Sequence, residues 1–247
     1  MMTAPYPYAL PFDRYRALLA RDHSRMVELA PSALTLPVPA CPGWTGEDLV
    51  RHTAMVYLHK SESIRTGARP TGTWPPPELD QMQPVPALQH CYARLMDQFD
   101  VRAPTEPAFT WVKDDQTVGF WIRRLAHETS IHRHDLESAL GHPHPIDPDL
   151  AVDGIDEILT VMLVRSKPDD DASGATVTLR SAGLAWTLTI APEVVTLERQ
   201  VSDRADTQIS GRPAELLLWL WGRGPLPEGN PRSRAADELR RRLASAT

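Results

Sequence analysis

The apolar residues of this chain change their period part-way along, and that change limits what the chain can fold into. Up to about Gly141 they recur every three or four residues, the spacing of helices; from about Ala175 they alternate, the spacing of strands. Tyr15, Leu18, Leu19, Met26 and Leu29 predict a first helix from about Phe12 to Ala30, stopped by Pro31. Leu49, Thr53, Val56 and Leu58 predict a second, from about Gly46 to Arg65. Thr45 is placed to cap it, and Glu47 and Asp48 sit in the first turn, where the helix dipole favours acids. A third helix is expected over about Ala87 to Phe99 and a fourth from Val118 to Gly141. The stretch LTLPVPACPGW and residues 66–86 carry too much proline for regular structure. A connection as long as 66–86 inside a compact domain is usually functional or mobile. Four helices with two long connections predict an up-down four-helix bundle.

After GHPHPIDP the pattern changes. One more helix is expected from Pro148 to Val164. ATVTLRS and LAWTLTI then flank Ala182-Gly183, a hairpin signal. VVTLERQV and TQIS are candidates for a third and a fourth strand, and Gly211-Arg212-Pro213 opens a helix, AELLLWLWGR. Its run Leu216, Leu217, Leu218, Trp219 and Leu220 requires burial and is expected to pack on the strands. The fold class is therefore a two-domain α+β protein: a bundle over 1–145 and a small α+β domain over 146–247.

Bulk properties exclude several functions. No apolar run approaches the roughly 20 residues that cross a bilayer. A net charge of −6 offers no basic footprint for nucleic acid. The N-terminus has no basic start followed by an apolar stretch, so a cytoplasmic location is expected. Cys41 and Cys91 stand too far apart for a zinc knuckle and too few for a disulfide framework, and free thiols are expected. Arg232, Arg234, Arg240, Arg241 and Arg242, interrupted by Asp237 and Glu238, predict a solvated helix face.

Chemistry concentrates in the fourth helix, in HETSIHRHD from His127 to Asp135. Glu128 and His132 are four apart and share a helix face, which Asp135 continues. The zincin pattern would need a histidine where Ile131 stands, so Glu128 fits better as a ligand than as a general base. Metal sites in bundles are assembled from facing helices, and His52, midway along the second helix, is the third candidate. Two histidines and a glutamate suit Zn²⁺, or another divalent metal, with an open coordination position. The plainer alternative is a core histidine beside a solvated Glu–His contact. His127 and His134 point off this face, and His142 and His144 belong to the following loop.

The segment PACPGWTGEDLVRHTAMV resembles the opening motif of the mycothiol-dependent maleylpyruvate isomerase family. FWIRRLAHETSIHRHDLESALG resembles its second motif, and ADTQISGRPAELLLWLWGR the end of its C-terminal domain. Their order and separation also fit, so the resemblance covers most of the chain. It implies a DinB-like bundle followed by a sterol-carrier-like domain, with metal ligands at His52, Glu128 and His132. It further implies mycothiol or a similar small thiol as cofactor, and a catalytic arginine at Arg223. The implied activity is zinc-dependent: a cis–trans isomerase or a thiol S-transferase. The expected substrate is a small electrophilic, anionic molecule, with no nucleic-acid or membrane partner, acted on by a monomer or homodimer. The rivals are a metal-dependent hydrolase or lyase on the same fold, and a non-catalytic small-molecule-binding protein. Cys41, before Pro42, reads as structural rather than nucleophilic.

Overall fold

Capping and proline placement set the helix ends in the computed structural model, which describes residues 6–71 and 74–246, the side chain of Glu78 apart. Residues 1–5, on which the reading of the N-terminus partly rests, and Gly72-Thr73 of the proline-rich connection lie outside the described residues.

Helix α1 spans Phe12–Ala33. Pro31 does not stop it: a proline costs one backbone hydrogen bond, and its fixed φ suits a last turn. Helix α2 spans Gly46–Thr66 and opens on a capping box. The Asp48 amide donates to Thr45 Oγ1 at 3.3 Å, and the Thr45 amide donates to Asp48 Oδ2 at 2.8 Å. Gly46 is required there, because a Cβ would lie 2.2 Å from the Ala33 carbonyl oxygen at the end of α1. A short helix α3, Pro77–Asp80, inside the proline-rich connection, and α4, Pro84–Val101, follow. Helix α5, Val118–Ala139, is capped by Thr117 and ends before Gly141 at φ +82°.

Among the described residues the chain divides into two compact units: Leu10–Pro145, and residues 6–9 with 146–246. In the first, α1 lies along α5 and α2 along α4, with α2 also against α5. Tyr15, Leu19, Met26, Leu49, Ala54, Leu88, Leu95 and Leu125 form its fully buried core. Each such leucine contributes roughly 1.5–3 kcal/mol relative to exposure.

The second unit begins with α6, Pro148–Glu157, prolonged by a π turn at Ile158–Met162 and a 3-10 turn at Leu163–Arg165. Strands β1 (Ala175–Ser181), β2 (Leu184–Ile190), β3 (Val195–Glu198) and β4 (Thr207–Ser210) form one sheet in the order β3-β2-β1-β4. β1 pairs antiparallel with β2 and parallel with β4. The hairpin turns at Ala182 and Gly183, both with positive φ, matching the right-handed twist of its strands. Helix α7, Pro213–Leu220, buries Leu216, Leu217, Trp219 and Leu220, yet its main neighbour is α6 rather than the strands. Helix α8, Arg234–Ala244, packs on β1; Arg234, Asp237 and Arg241 form the expected solvated face, whereas Glu238 and Arg242 depart from it and are buried. Arg242 is 1% exposed and donates to Ser166 Oγ, and buried Glu238 accepts from Ser173. Those polar partners lie far away in sequence, so no local pattern announces them. Neither Cys41 nor Cys91 is in a disulfide. No described helix is long and apolar enough to cross a membrane.

Candidate metal centre

The two helices carrying the candidate ligands run side by side in opposite directions. The contact between the buried Tyr57 hydroxyl and Thr129 Oγ1, 2.7 Å apart, pins α2 to α5 between them. With that register, His52 of α2 faces Glu128 and His132 of α5. The Oε1 atom of Glu128 lies 3.2 Å from His132 Nε2 and 3.7 Å from His52 Nε2. One ligand atom from each of the three residues lies within 4.8 Å of the others. Two donors about 2.1 Å from a tetrahedral ion stand roughly 3.4 Å apart. The donor set therefore has the chemistry and close to the spacing for a divalent ion.

The neighbours orient these donors. Arg124, one turn before Glu128, donates to Glu128 Oε2 and leaves Oε1 toward the histidines. Asp135 Oδ2 lies 3.2 Å from His132 Nδ1, which turns Nε2 toward Glu128. The Trp44 ring lies 5.0 Å from the His52 ring, and the two imidazoles are 5.1 Å apart, edge to face. A cavity of about 500 Å³ opens beside His52, lined by Trp44, Arg51, Met55, Pro75 and Leu79 among others.

Charge state follows from the same contacts. Burial alone would raise the Glu128 pKa, but Arg124, His132 and His52 outweigh it and hold the carboxylate well below its ordinary range. Burial alone would lower His132, but Asp135 and Glu128 outweigh it and raise it to about 9. Without a metal the pair is thus carboxylate and imidazolium.

Of the sequence candidates, the structure brings His52, Glu128 and His132 together. His127 and His134 are buried away from this cluster, the former edge-on to Tyr15. His144 is tied by its backbone and ring to Glu137. Arg223 belongs to the other unit. It follows α7 with its amide bonded to the Leu218 carbonyl and its guanidinium to the Trp221 carbonyl at 2.8 Å. Sequence reasoning missed Arg124, although its place one helical turn before Glu128 was a usable signal. It also missed Trp44, which no helical spacing connects to His52.

Fold and site together define a two-domain α+β protein with a His₂Glu cluster inside a helical bundle. Residues 15–137 match the mycothiol maleylpyruvate isomerase N-terminal domain, and residues 149–245 match the MDMPI C-terminal domain. The chain belongs to the mycothiol-dependent maleylpyruvate isomerase family. Among solved structures it is similar to a mycothiol-dependent maleylpyruvate isomerase, with a TM-score of 0.61 and 16% identity, covering 91% of this chain and 98% of that one. A mutant of a mycothiol-dependent maleylpyruvate isomerase matches at a TM-score of 0.59 with the same identity and coverage. At that identity the likeness shows the fold. No curated protein matches the chain.

Proposed function

We propose that this protein is a zinc-dependent enzyme that uses mycothiol or a similar small thiol as nucleophile. It acts as a cis–trans isomerase, in which the thiol adds to an electron-poor double bond and is eliminated after rotation, or as an S-transferase. The observation that carries this reading is the convergence of His52, Glu128 and His132 on one point, at distances a divalent ion fits. Family membership and the names of the matched structures support the thiol and the isomerase character.

A divalent ion held by these three residues would supply Lewis acidity sufficient to keep a bound thiol deprotonated at neutral pH. The chain's own groups then have distinct tasks. Arg124 fixes one oxygen of Glu128, so the other is presented in a single direction. Asp135 holds Nδ1 of His132 and raises the basicity of the ring. Trp44 packs its ring against that of His52. By the family resemblance Arg223 is a catalytic residue, and its planar fork is one a lysine would not reproduce.

The test is a thiol-dependent turnover screen on electrophilic cis-alkene acids, with and without chelator, alongside elemental analysis. Zinc near one per chain and chelator-sensitive turnover are expected. His52→Ala is expected to lose most of the zinc and all thiol-dependent turnover while remaining folded. Undiminished zinc in His52→Ala would remove the metal assignment. Turnover that ignores added thiol would remove the thiol.

A further inference from the structure

Two turns beyond His52, on the same helix, Lys60 is placed in a way the metal centre does not explain. Its Nζ lies 4.9 Å from the centre of the Trp121 ring and 5.6 Å from that of Trp111. Its hydrogen-bond partner is Nδ1 of His59 at 3.3 Å. An ammonium can only donate, so that nitrogen accepts; burial, with Lys60 and Arg69 adding to it, lowers the His59 pKa to about 4. Among the described residues Lys60 pairs with no carboxylate. Two of its three N–H bonds have no protein acceptor among them.

The indole faces attract the ammonium, and Lys60 is half-buried, so its two unused N–H bonds can be reached by a ligand. Burial, with Arg124 and Arg69 adding to it, pushes the Lys60 pKa down to about 8 against the pull of Glu128. The protonated form offers those two N–H bonds to an anion or to water.

The place of Lys60 in the fold says which anion. Helical side chains lean toward their helix N-terminus. Lys60 therefore leans back along α2 toward His52, and Glu128 leans along antiparallel α5 toward Arg124 and Trp121. His52 and Lys60 are about 12 Å apart along the axis, measured at the backbone. The ammonium is close enough to Glu128 to feel its charge. Trp121 is 1% exposed and its indole N–H is held by the Phe109 carbonyl at 2.9 Å, so this wall is rigid. Trp111 is 42% exposed and leaves the site open on its other side.

We propose that Lys60, standing on Trp121 and Trp111, is the residue that binds a carboxylate of the electrophilic substrate beside the metal centre. The inference rests on the enzymatic reading given above. It adds a substrate-positioning cation within the bundle.

The test is calorimetric titration of the full-length, zinc-loaded protein with maleate, in wild type, Lys60→Gln and Lys60→Arg. Wild type should bind maleate, and Lys60→Gln should weaken binding about ten- to a hundredfold, the share of a charged hydrogen bond. Lys60→Arg, which keeps the charge and the aromatic contact, should restore most of the affinity. Zinc content should be equal in all three. Equal maleate affinity in wild type and Lys60→Gln overturns the proposal, as does a wild type that does not bind maleate at millimolar concentration. The two readings fail separately. A chain that takes up no zinc but whose maleate affinity depends on Lys60 loses the metal assignment and keeps the anion site. A zinc-loaded chain indifferent to Lys60→Gln keeps the metal and loses the anion site.

Discussion

Helix α5 carries two charged clusters, one toward α1 and one, half-buried, toward α2, and they are built differently. Toward α1, Glu137 accepts from Arg133 Nη1 at 2.6 Å, from the His144 amide at 2.8 Å and from Arg25 Nε at 3.3 Å. Arg133 also donates to the His144 carbonyl and stands 3.6 Å from Asp22. Two arginines, which cannot give up their protons, surround that carboxylate, and the exposed His144 ring, 3.1 Å from Oε1, is the one imidazole beside it among the described residues. Toward α2, the carboxylate is held by an arginine at one oxygen only, and the other faces two imidazole nitrogens. Imidazole can release its proton and offer a lone pair, so this cluster can exchange its protons for a metal. The lesson is that buried charge alone does not mark a site. The partners' ability to become Lewis bases does.

That contrast can be broken in graded ways. The largest effect is expected from Arg133→Ala, which leaves Glu137 and Asp22 buried with a lost partner. Chemical denaturation should show a loss of about 3–5 kcal/mol, while zinc per folded chain stays unchanged. A parallel loss of zinc would mean that the two clusters are not independent. A smaller effect is expected from Asp135→Asn, which keeps the shape but removes the charge behind His132. Zinc affinity by competition with a chromophoric chelator should fall about ten- to a hundredfold. An unchanged affinity would make Asp135 a packing residue.

The smallest effect concerns acid. Burial alone would raise the Glu137 pKa, but the His144 amide, Arg133 and Arg25 outweigh it and hold the value below the ordinary 4.5. A carboxylate whose folded pKa is depressed contributes stability that is present above the unfolded value and is lost as pH falls through the folded one. The metal-free protein should therefore lose stability progressively below pH 4.5, and Glu137→Gln should lose it less steeply. Equal slopes in the two proteins would deny the Glu137 cluster its share of the acid sensitivity.

Much of this arrangement was legible in the residues. Glu128 and His132 had to share a face because a helix repeats every 3.6 residues, whatever surrounds it. Thr45 had to start a helix because its hydroxyl and the Asp48 carboxylate satisfy two free amides. Ala182-Gly183 had to turn a hairpin, and the apolar face of α7 had to be buried. These are local rules, and periodicity or capping carries them. The pairing of His52 with the fourth helix came from the general habit of bundles and from family resemblance, not from any spacing between residues 52 and 128.

Local stretches of chain set the elements and the face each one presents. Backbone hydrogen bonding and side-chain period act over a few residues and can be read one stretch at a time. Only the tertiary structure decided which faces meet. The antiparallel register of α2 on α5, fixed in part by Tyr57 and Thr129, brings His52 to Glu128 and sets Lys60 against Trp121. The burial of Arg242 and Glu238 in α8, and the choice of α6 as the neighbour of α7, were decided there too. Contacts between residues far apart in sequence depend on how the whole set of apolar faces packs at once. No single stretch contains that information.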